Sequence, residues 1–206
     1  AVLQGSLEAL ADGIYPPTHK NVRPALDQVQ MLNRLVEDLH TLTLTDAGSL
    51  QLDLQPIDVD RFLDKVADAH REAFRAKGLA LQRIERGGRA VEVRGDYDRL
   101  TQVVNNILGN ALRYVPEGGT IRISAERAAG GAAIQIADDG PGVPAADLPH
   151  LFERFWRGDP SRSRQTGGSG LGLTIARRMI EAHDGRIDAR PTPGRGLTLR
   201  IWLPEA

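Results

Sequence analysis

Hydrophobic residues recur along this 206-residue chain in two rhythms, and the change from one to the other divides it. Residues 1–48 carry only the helical rhythm. Leu3, Leu7, Leu10 and Ile14 stand four, three and four apart, a heptad-like seam on a short first helix. Gly13 and Tyr15-Pro16-Pro17 end it, and Thr18 is placed to cap a second helix. Pro24 falls early in that helix, so the pattern predicts an irregular start or a kink before about residue 24. Val22, Leu26, Val29, Leu32, Val36 and Leu39 then form one seam, with Met31, Leu35 and Leu42 beside it. A short first helix cannot cover two seams. The expectation is a helical hairpin that completes a four-helix bundle with a second copy of itself; packing on the chain's own second domain is the alternative.

Asp46-Ala-Gly48 stops the second helix, and from residue 49 the rhythms alternate. Leu50, Leu52 and Leu54 predict a short strand ended by Pro56. Asp58 or Asp60 starts a helix carrying Phe62, Leu63, Val66 and Phe74, which Gly78 ends. Leu79–Leu81 and Val91–Val93 read as strands on either side of a Gly87-Gly88 turn. Leu100, Val103, Val104, Ile107, Leu108 and Ala111 place a helix between Asp96 and Tyr114. After a Pro116–Gly119 turn, Ile121–Ile123 and Ala133–Ile136 form a hairpin around Gly130-Gly131. Leu171–His183 is helical, and Arg186–Arg190 and Leu197–Leu203 are closing strands. The class is α+β: residues 49–206 make a two-layer α/β sandwich, an antiparallel or mixed sheet backed by three helices.

Composition narrows the chemistry. A net charge of −1 gives no reason to expect nucleic acid. The absence of cysteine excludes disulfides, zinc-thiolate sites and thiol nucleophiles. No apolar run approaches the ~20 residues of a membrane span, and Ala1–Ile14 has no secretory signal. The chain opens without methionine inside a helical pattern, so it is expected to be part of something longer.

Four stretches carry candidate chemistry. Asn106 and Asn110, one turn apart on one face of the predicted helix, form a polar edge that Arg113 extends; two solvated amides would give the same pattern. Ala137-Asp-Asp-Gly-Pro-Gly-Val143 follows a strand, where Asp138 offers an acceptor-only carboxylate suited to an exocyclic amine. A plain turn has the same form. Gly167-Gly-Ser-Gly-Leu-Gly-Leu173 runs into a helix, so Gly168, Gly170 and Gly172 would present backbone N–H groups to an anion. It is neither a Rossmann fingerprint nor a Walker motif. Leu151-Phe-Glu-Arg-Phe-Trp-Arg157 precedes a polar, basic stretch with Arg162 and Arg164 that has the form of a lid.

In this order and spacing the four stretches resemble the N, G1, F and G2 boxes of sensor histidine kinases, in the superfamily that includes gyrase, Hsp90 and MutL. The likeness runs through residues 51–206, including Gly194-Arg-Gly196, and residues 1–48 resemble the same kinases' dimerisation and histidine-phosphotransfer hairpin, most like that of envelope-stress sensors. The resemblance implies a bound ATP and Mg2+. Asn110, and with it Asn106, would serve the metal. Arg113 and Arg157 would face phosphate, Tyr114 would lie near the base and Asp138 would read the adenine amine. Gly140 and Gly142 would shape the base pocket, and Gly168, Gly170, Leu171 and Gly172 would line the phosphates. Asn106 stands where gyrase-like ATPases hold a glutamate base, so hydrolysis by water is not expected.

The implied activity is protein-histidine kinase: the γ-phosphate passes to a histidine and is relayed to a response-regulator aspartate. A nucleotide-binding regulatory module without phosphotransfer is the alternative. The implied partners are a response regulator and a second copy. The implied location is the cytoplasmic side of a parent in the bacterial inner membrane. Two departures are small: Asp139 replaces a usual asparagine, and His183-Asp-Gly185 a usual His-Gly-Gly. One is large. The family's His-Glu-x-x-x-Pro acceptor box is missing, and none of His19, His40, His70, His150 and His183 has that context. The expectation is Mg·ATP binding without autophosphorylation.

Overall fold

A computed structural model describes residues 2–84, 91–158 and 169–206, less the side chains of Val2, Leu3 and Ser6. The seam position Leu3, the Gly87-Gly88 turn, Arg162, Arg164 and Gly168 therefore lie outside what is described. The chain divides into two compact units, Ala1–Leu44 and Thr45–Ala206.

The first unit is two helices, α1 (Val2–Ala11) and all but the last residues of α2 (His19–Asp46). Gly13 in the left-handed region terminates α1, so Ile14 lies past the helix rather than on its seam. α2 begins directly after Thr18, whose carbonyl accepts the N–H groups of Asn21 and Val22. Pro24 lies inside α2 as its sixth residue, and the helix runs on around it instead of starting irregularly there. Val22, Leu26, Val29, Leu32, Val36 and Leu39 are all exposed.

The second unit is the expected sandwich. Its strands are β1 (Gln55–Asp58), β2 (Ala80–Ile84), β3 (Glu92–Gly95), β4 (Thr120–Ala128), β5 (Gly131–Asp138), β6 (Arg186–Pro191) and β7 (Leu197–Pro204). Its helices are α3 (Val59–Ala76), α4 (Tyr97–Tyr114) and α5 (Gly172–Ala182). A five-stranded mixed sheet runs β2-β4-β5-β7-β6, with β2 parallel to β4 and the other pairs antiparallel. β1 and β3 form a separate antiparallel pair. Alternate residues Ile121, Ile123, Ile134, Ile136, Leu199, Ile201 and Leu203 are buried on one sheet face. Against them pack Phe62, Leu63 and Phe74 of α3, Val103, Val104 and Leu108 of α4, and Ile175, Met179 and Ile180 of α5.

Two expectations about the strands differ. Leu50, Leu52 and Leu54 are not in a strand; β1 begins at Gln55 and includes Pro56, opposite Arg94. Proline is tolerated because a two-stranded sheet consists only of edges. β2 and β3 exist near the expected positions but do not pair with each other: β2 joins β4 and β3 joins β1. The helix ends follow local rules. Asp58 caps α3 through Arg61 N at 3.0 Å. Gly78, left-handed, closes α3 as Leu79 N–H returns to the Phe74 carbonyl at 2.9 Å.

Candidate functional site

α4 carries four of the twelve candidate residues, Asn106, Asn110, Arg113 and Tyr114, and is fixed at both ends. At its start, Asp96 Oδ1 accepts the N–H groups of Asp98 and Arg99, each at 3.1 Å. Asp96 N–H donates at 3.0 Å to Nε2 of the buried His183, whose Nδ1 lies 2.6 Å from the Met179 carbonyl. An accepting Nε2 and a donating Nδ1 define a neutral imidazole. It ties the start of α4 to the end of α5. At the other end Lys77 Nζ donates to the carbonyls of Leu112 and Val115, which satisfies the last turn.

Between these clamps Asn106 Nδ2 donates to the Gly172 carbonyl at 3.1 Å. A β-carbon on Gly172 would sit 3.6 Å from Asn106 Cγ, so the backbone of α5 packs directly on this amide. Asn110 is half-buried, and its side chain makes no hydrogen bond among the described residues. The same holds for Arg113, and Tyr114 is exposed at the helix end. An unengaged amide oxygen beside an unpaired guanidinium fits a hard cation that keeps most of its waters and takes few protein ligands. Among the described residues no group of three or more His, Asp or Glu could hold a metal alone. Mg2+ here would depend on phosphate oxygens as well.

The second cluster closes around Asp138, the last residue of β5. Its Oδ1 accepts Gly140 N–H at 2.8 Å and Leu197 N–H at 3.2 Å. Burial pushes this carboxyl above the usual range; the two N–H donors pull it back, and Asp139 beside it pushes it up again. Oδ2 has no partner among the described residues, which leaves an acceptor for an amine. A β-carbon on Gly140 would lie 2.9 Å from Asp138 Oδ1 and 3.2 Å from Val115 Cγ2, so the end of α4 abuts this turn. Gly142, left-handed, presses on Gly196. Gly196 in turn lies so close that a β-carbon there would fall 1.9 Å from the Asp138 carbonyl oxygen. Asp139, one of the two small departures, is engaged elsewhere. Its Oδ1 accepts Thr120 N–H at 2.8 Å and joins β5 to the start of β4.

The third cluster is the start of α5. Gly170 is left-handed, and its carbonyl accepts Phe155 N–H at 3.1 Å. A β-carbon on it would lie 2.9 Å from the Phe155 backbone. Leu171, fully buried, anchors the turn, and its N–H donates to Ser169 Oγ at 3.2 Å. Arg157 is half-buried just after this contact. The structure thus joins Asn106 with Gly172, Gly170 with the Phe155 segment, and Asp138 with Gly140 and Gly142. Asn106 and Val115 are nine residues apart, about 14 Å of helix. One end of that span touches an anion-seeking helix start and the other the Gly140 turn beside the half-buried Asp138 carboxylate, a separation suited to an extended nucleoside triphosphate.

Four further contributors were not assigned to the site from the sequence: the Leu197 N–H, Gly196, Lys77 and His183. Gly196 and His183 lie in stretches that the resemblance includes, Gly194-Arg-Gly196 and His183-Asp-Gly185, whereas Lys77 and the Leu197 N–H carry no motif signal.

Known proteins resemble this chain along nearly all of its length. BaeS, the signal transduction histidine-protein kinase of Escherichia coli (strain K12), is 42% identical over 99% of this chain. The chain spans 43% of the length of BaeS. The structure of the Acinetobacter baumannii histidine kinase AdeS superposes with a TM-score of 0.81 at 28% identity, covering 98% of this chain and 93% of that one. Full-length ShkA in complex with AMPPNP gives 0.78 at 25% identity, over 98% of this chain and 42% of that one. The model of the histidine kinase-, DNA gyrase B- and HSP90-like ATPases matches residues 95–206, from the last residue of β3 through all three clusters, and the chain belongs to that family.

Proposed function

We propose that this chain is the ATP-binding kinase core of a two-component sensor histidine kinase. Residues 49–206 are its catalytic domain, and residues 1–48 belong to its dimerisation and phosphotransfer hairpin. The observation that carries the reading is the Asn106–Gly172 contact: an amide, not a carboxylate, faces the helix start that holds the phosphates. An amide cannot take a proton from water, so bound ATP keeps its γ-phosphate for another nucleophile.

Asp138 Oδ2 accepts from the adenine amine, and the N–H groups that hold Oδ1 fix its direction. Tyr114 flanks the base. The N-terminus of α5, with Gly168, Gly170, Leu171 and Gly172, receives the phosphates by dipole and N–H groups. Arg113 and Arg157 add cations. Asn110, with Asn106 beside it, holds Mg2+, which neutralises phosphate charge during transfer. The exposed seam of α2 supports a homodimer through residues 1–48. A response-regulator aspartate is the final acceptor. Among the described residues no helix is long and apolar enough to cross a membrane. A membrane-bound parent with this portion on the cytoplasmic side is part of the proposal.

The test uses γ-labelled Mg·ATP, this chain, and a separate dimerisation fragment that carries an acceptor histidine. Label is expected on the fragment and not on this chain, and Asn110→Ala should abolish it. Label on this chain at one per molecule would overturn the expectation that none of its five histidines is the acceptor. ATP binding with no label anywhere would favour a regulatory module instead.

A further inference from the structure

Asp46, the last residue of α2 and the second of the Thr45–Ala206 unit, occupies a position that the nucleotide reading does not use. Its Oδ2 accepts from Arg154 Nη2 at 2.5 Å, and its Oδ1 lies 3.9 Å from Arg178 Nε. Arg178 is on α5 and also pairs with Glu181 at 3.0 Å. Arg154 immediately precedes Phe155. One carboxylate therefore holds two elements that flank the Gly170 turn, the Leu151–Arg157 segment before it and α5 after it.

The contact at that turn is one a free chain would not adopt. Phe155 has φ +60°, a left-handed conformation that bulky residues rarely take, and its ring is exposed. No burial of its own side chain accounts for the conformation. What holds it is the backbone: Phe155 N–H on the Gly170 carbonyl, with Gly170 left-handed as well and too close for a β-carbon. Two residues later Gly172 receives Asn106. A continuous series of contacts thus runs from Asp46 through Arg154, Phe155, Gly170 and Gly172 to the N-box amide.

We propose that Asp46 is a positioning residue for nucleotide binding, acting through Arg154 and Arg178 on the Gly170 turn; the proposal rests on the ATP reading above. Both sides of the Asp46–Arg154 pair are partly exposed, 38% and 46%, so the pair contributes little to global stability. Its effect is on where the turn sits. A structural contact would lower the unfolding midpoint when broken, whereas a positioning contact lowers affinity and leaves the midpoint alone.

The experiment compares the 206-residue chain with Asp46→Asn, Arg154→Ala, the double variant and Asp46→Glu. Three quantities are measured: the Kd for a non-hydrolysable Mg·ATP analogue, the unfolding midpoint, and amide hydrogen exchange at Phe155 without nucleotide. Asp46→Asn and Arg154→Ala should each weaken binding by about threefold to fivefold at an unchanged midpoint. The double variant should be no worse than either single one, and Asp46→Glu should recover most of the loss. Phe155 exchange should accelerate in the first three and not in Asp46→Glu. Unchanged Phe155 exchange, additive losses, or a loss that tracks a lowered midpoint would each overturn the proposal. If the unaltered chain does not bind the analogue, the ATP reading fails, and Phe155 exchange alone decides whether Asp46 positions the turn.

Discussion

α2 and α4 are both written in the helical rhythm, the first as a narrow row and the second as a wider stripe, and they end in opposite states. The seam of α2, Val22 to Leu39, is between 39% and 66% exposed; the seam of α4, Leu100 to Ala111, is between 0% and 7% exposed. Periodicity reports which face of a helix is apolar. What covers that face is settled by the partners available, and α4 has a sheet and two helices of its own unit while α2 has only α1 within the first. The two helices also differ at their ends. α4 is clamped by Asp96, His183 and Lys77, and α2 carries a proline in its second turn. The helix that carries Asn106 and Asn110 is fixed at both ends; the one that carries an open apolar row is not clamped in this way.

The sharpest way to break this comparison is to truncate one seam residue on each helix. Leu108→Ala should destabilise the Thr45–Ala206 unit by about 2–5 kcal/mol. Leu32→Ala should change it by less than about 0.5 kcal/mol while weakening self-association. Denaturant unfolding followed by tryptophan fluorescence reads the first quantity cleanly, since Trp156 and Trp202 both belong to that unit. Sedimentation reads the second. A Leu32→Ala cost equal to that of Leu108→Ala, in a monomer, would mean that the α2 seam is covered within the chain.

A smaller effect separates binding from folding inside the second unit. The folded pKa of Asp138 lies above its ordinary value, chiefly because the carboxyl is buried. The sign follows: its contribution to stability is present below the unfolded pKa and is lost as pH rises through the folded one. At neutral pH the ionised form is a cost to the fold. Asp138→Asn removes that charge and keeps an oxygen for Gly140 and Leu197. Its unfolding midpoint at pH 7 should match or exceed that of the unaltered chain. Its affinity for adenine nucleotide should fall about tenfold to a hundredfold, since an amide N–H2 can then face the amine. In the unaltered chain nucleotide affinity should decline on acidification from a higher pH than an ordinary carboxylate would give. Calorimetric titration across pH checks both.

The smallest effect concerns a helix end. Asp184 takes φ +56° at the close of α5, where Gly185 N–H returns to the Ile180 carbonyl at 2.9 Å. Glycine is the residue that this position favours. Asp184→Gly should raise stability by about 0.5 kcal/mol with no change in nucleotide affinity, checked by thermal unfolding.

Much of this was legible because the signals are local. The α4 stripe, the Gly130-Gly131 hairpin and the alternation Leu197-Leu199-Ile201-Leu203 each lie within one element, and each took the predicted form. Leu50–Leu54 misled because alternation marks two faces but not a pairing partner. The hydrogen bonds that define β1 begin at Gln55, across Pro56, where register with Gly95 and Arg94 is available. The pairing of β2 with β4 and of β1 with β3 is set by contacts about 40 residues distant in the chain, and no window on the sequence holds both partners. In the site, Asn106, Asn110, Asp138 and the glycines were visible as types in a pattern. Lys77, His183 and the Leu197 N–H were not. They act through single contacts between remote segments, and the last is a backbone group that any residue would supply.

The approach of Gly196 to Asp138 would make the proposed base site a gauge of sheet assembly. Leu197 is both the first residue of β7 and the donor that steadies the Asp138 carboxylate. A slip of β7 by one residue would turn its Leu and Ile row to the outer face and carry that N–H away from Oδ1. It would also drive a side chain into the space that only glycine fits at position 196. Chains whose C-terminal strands have closed out of register would then be unable to hold adenine. Fractionation on an immobilised adenine nucleotide would therefore sort correctly registered molecules from compact misfolded ones.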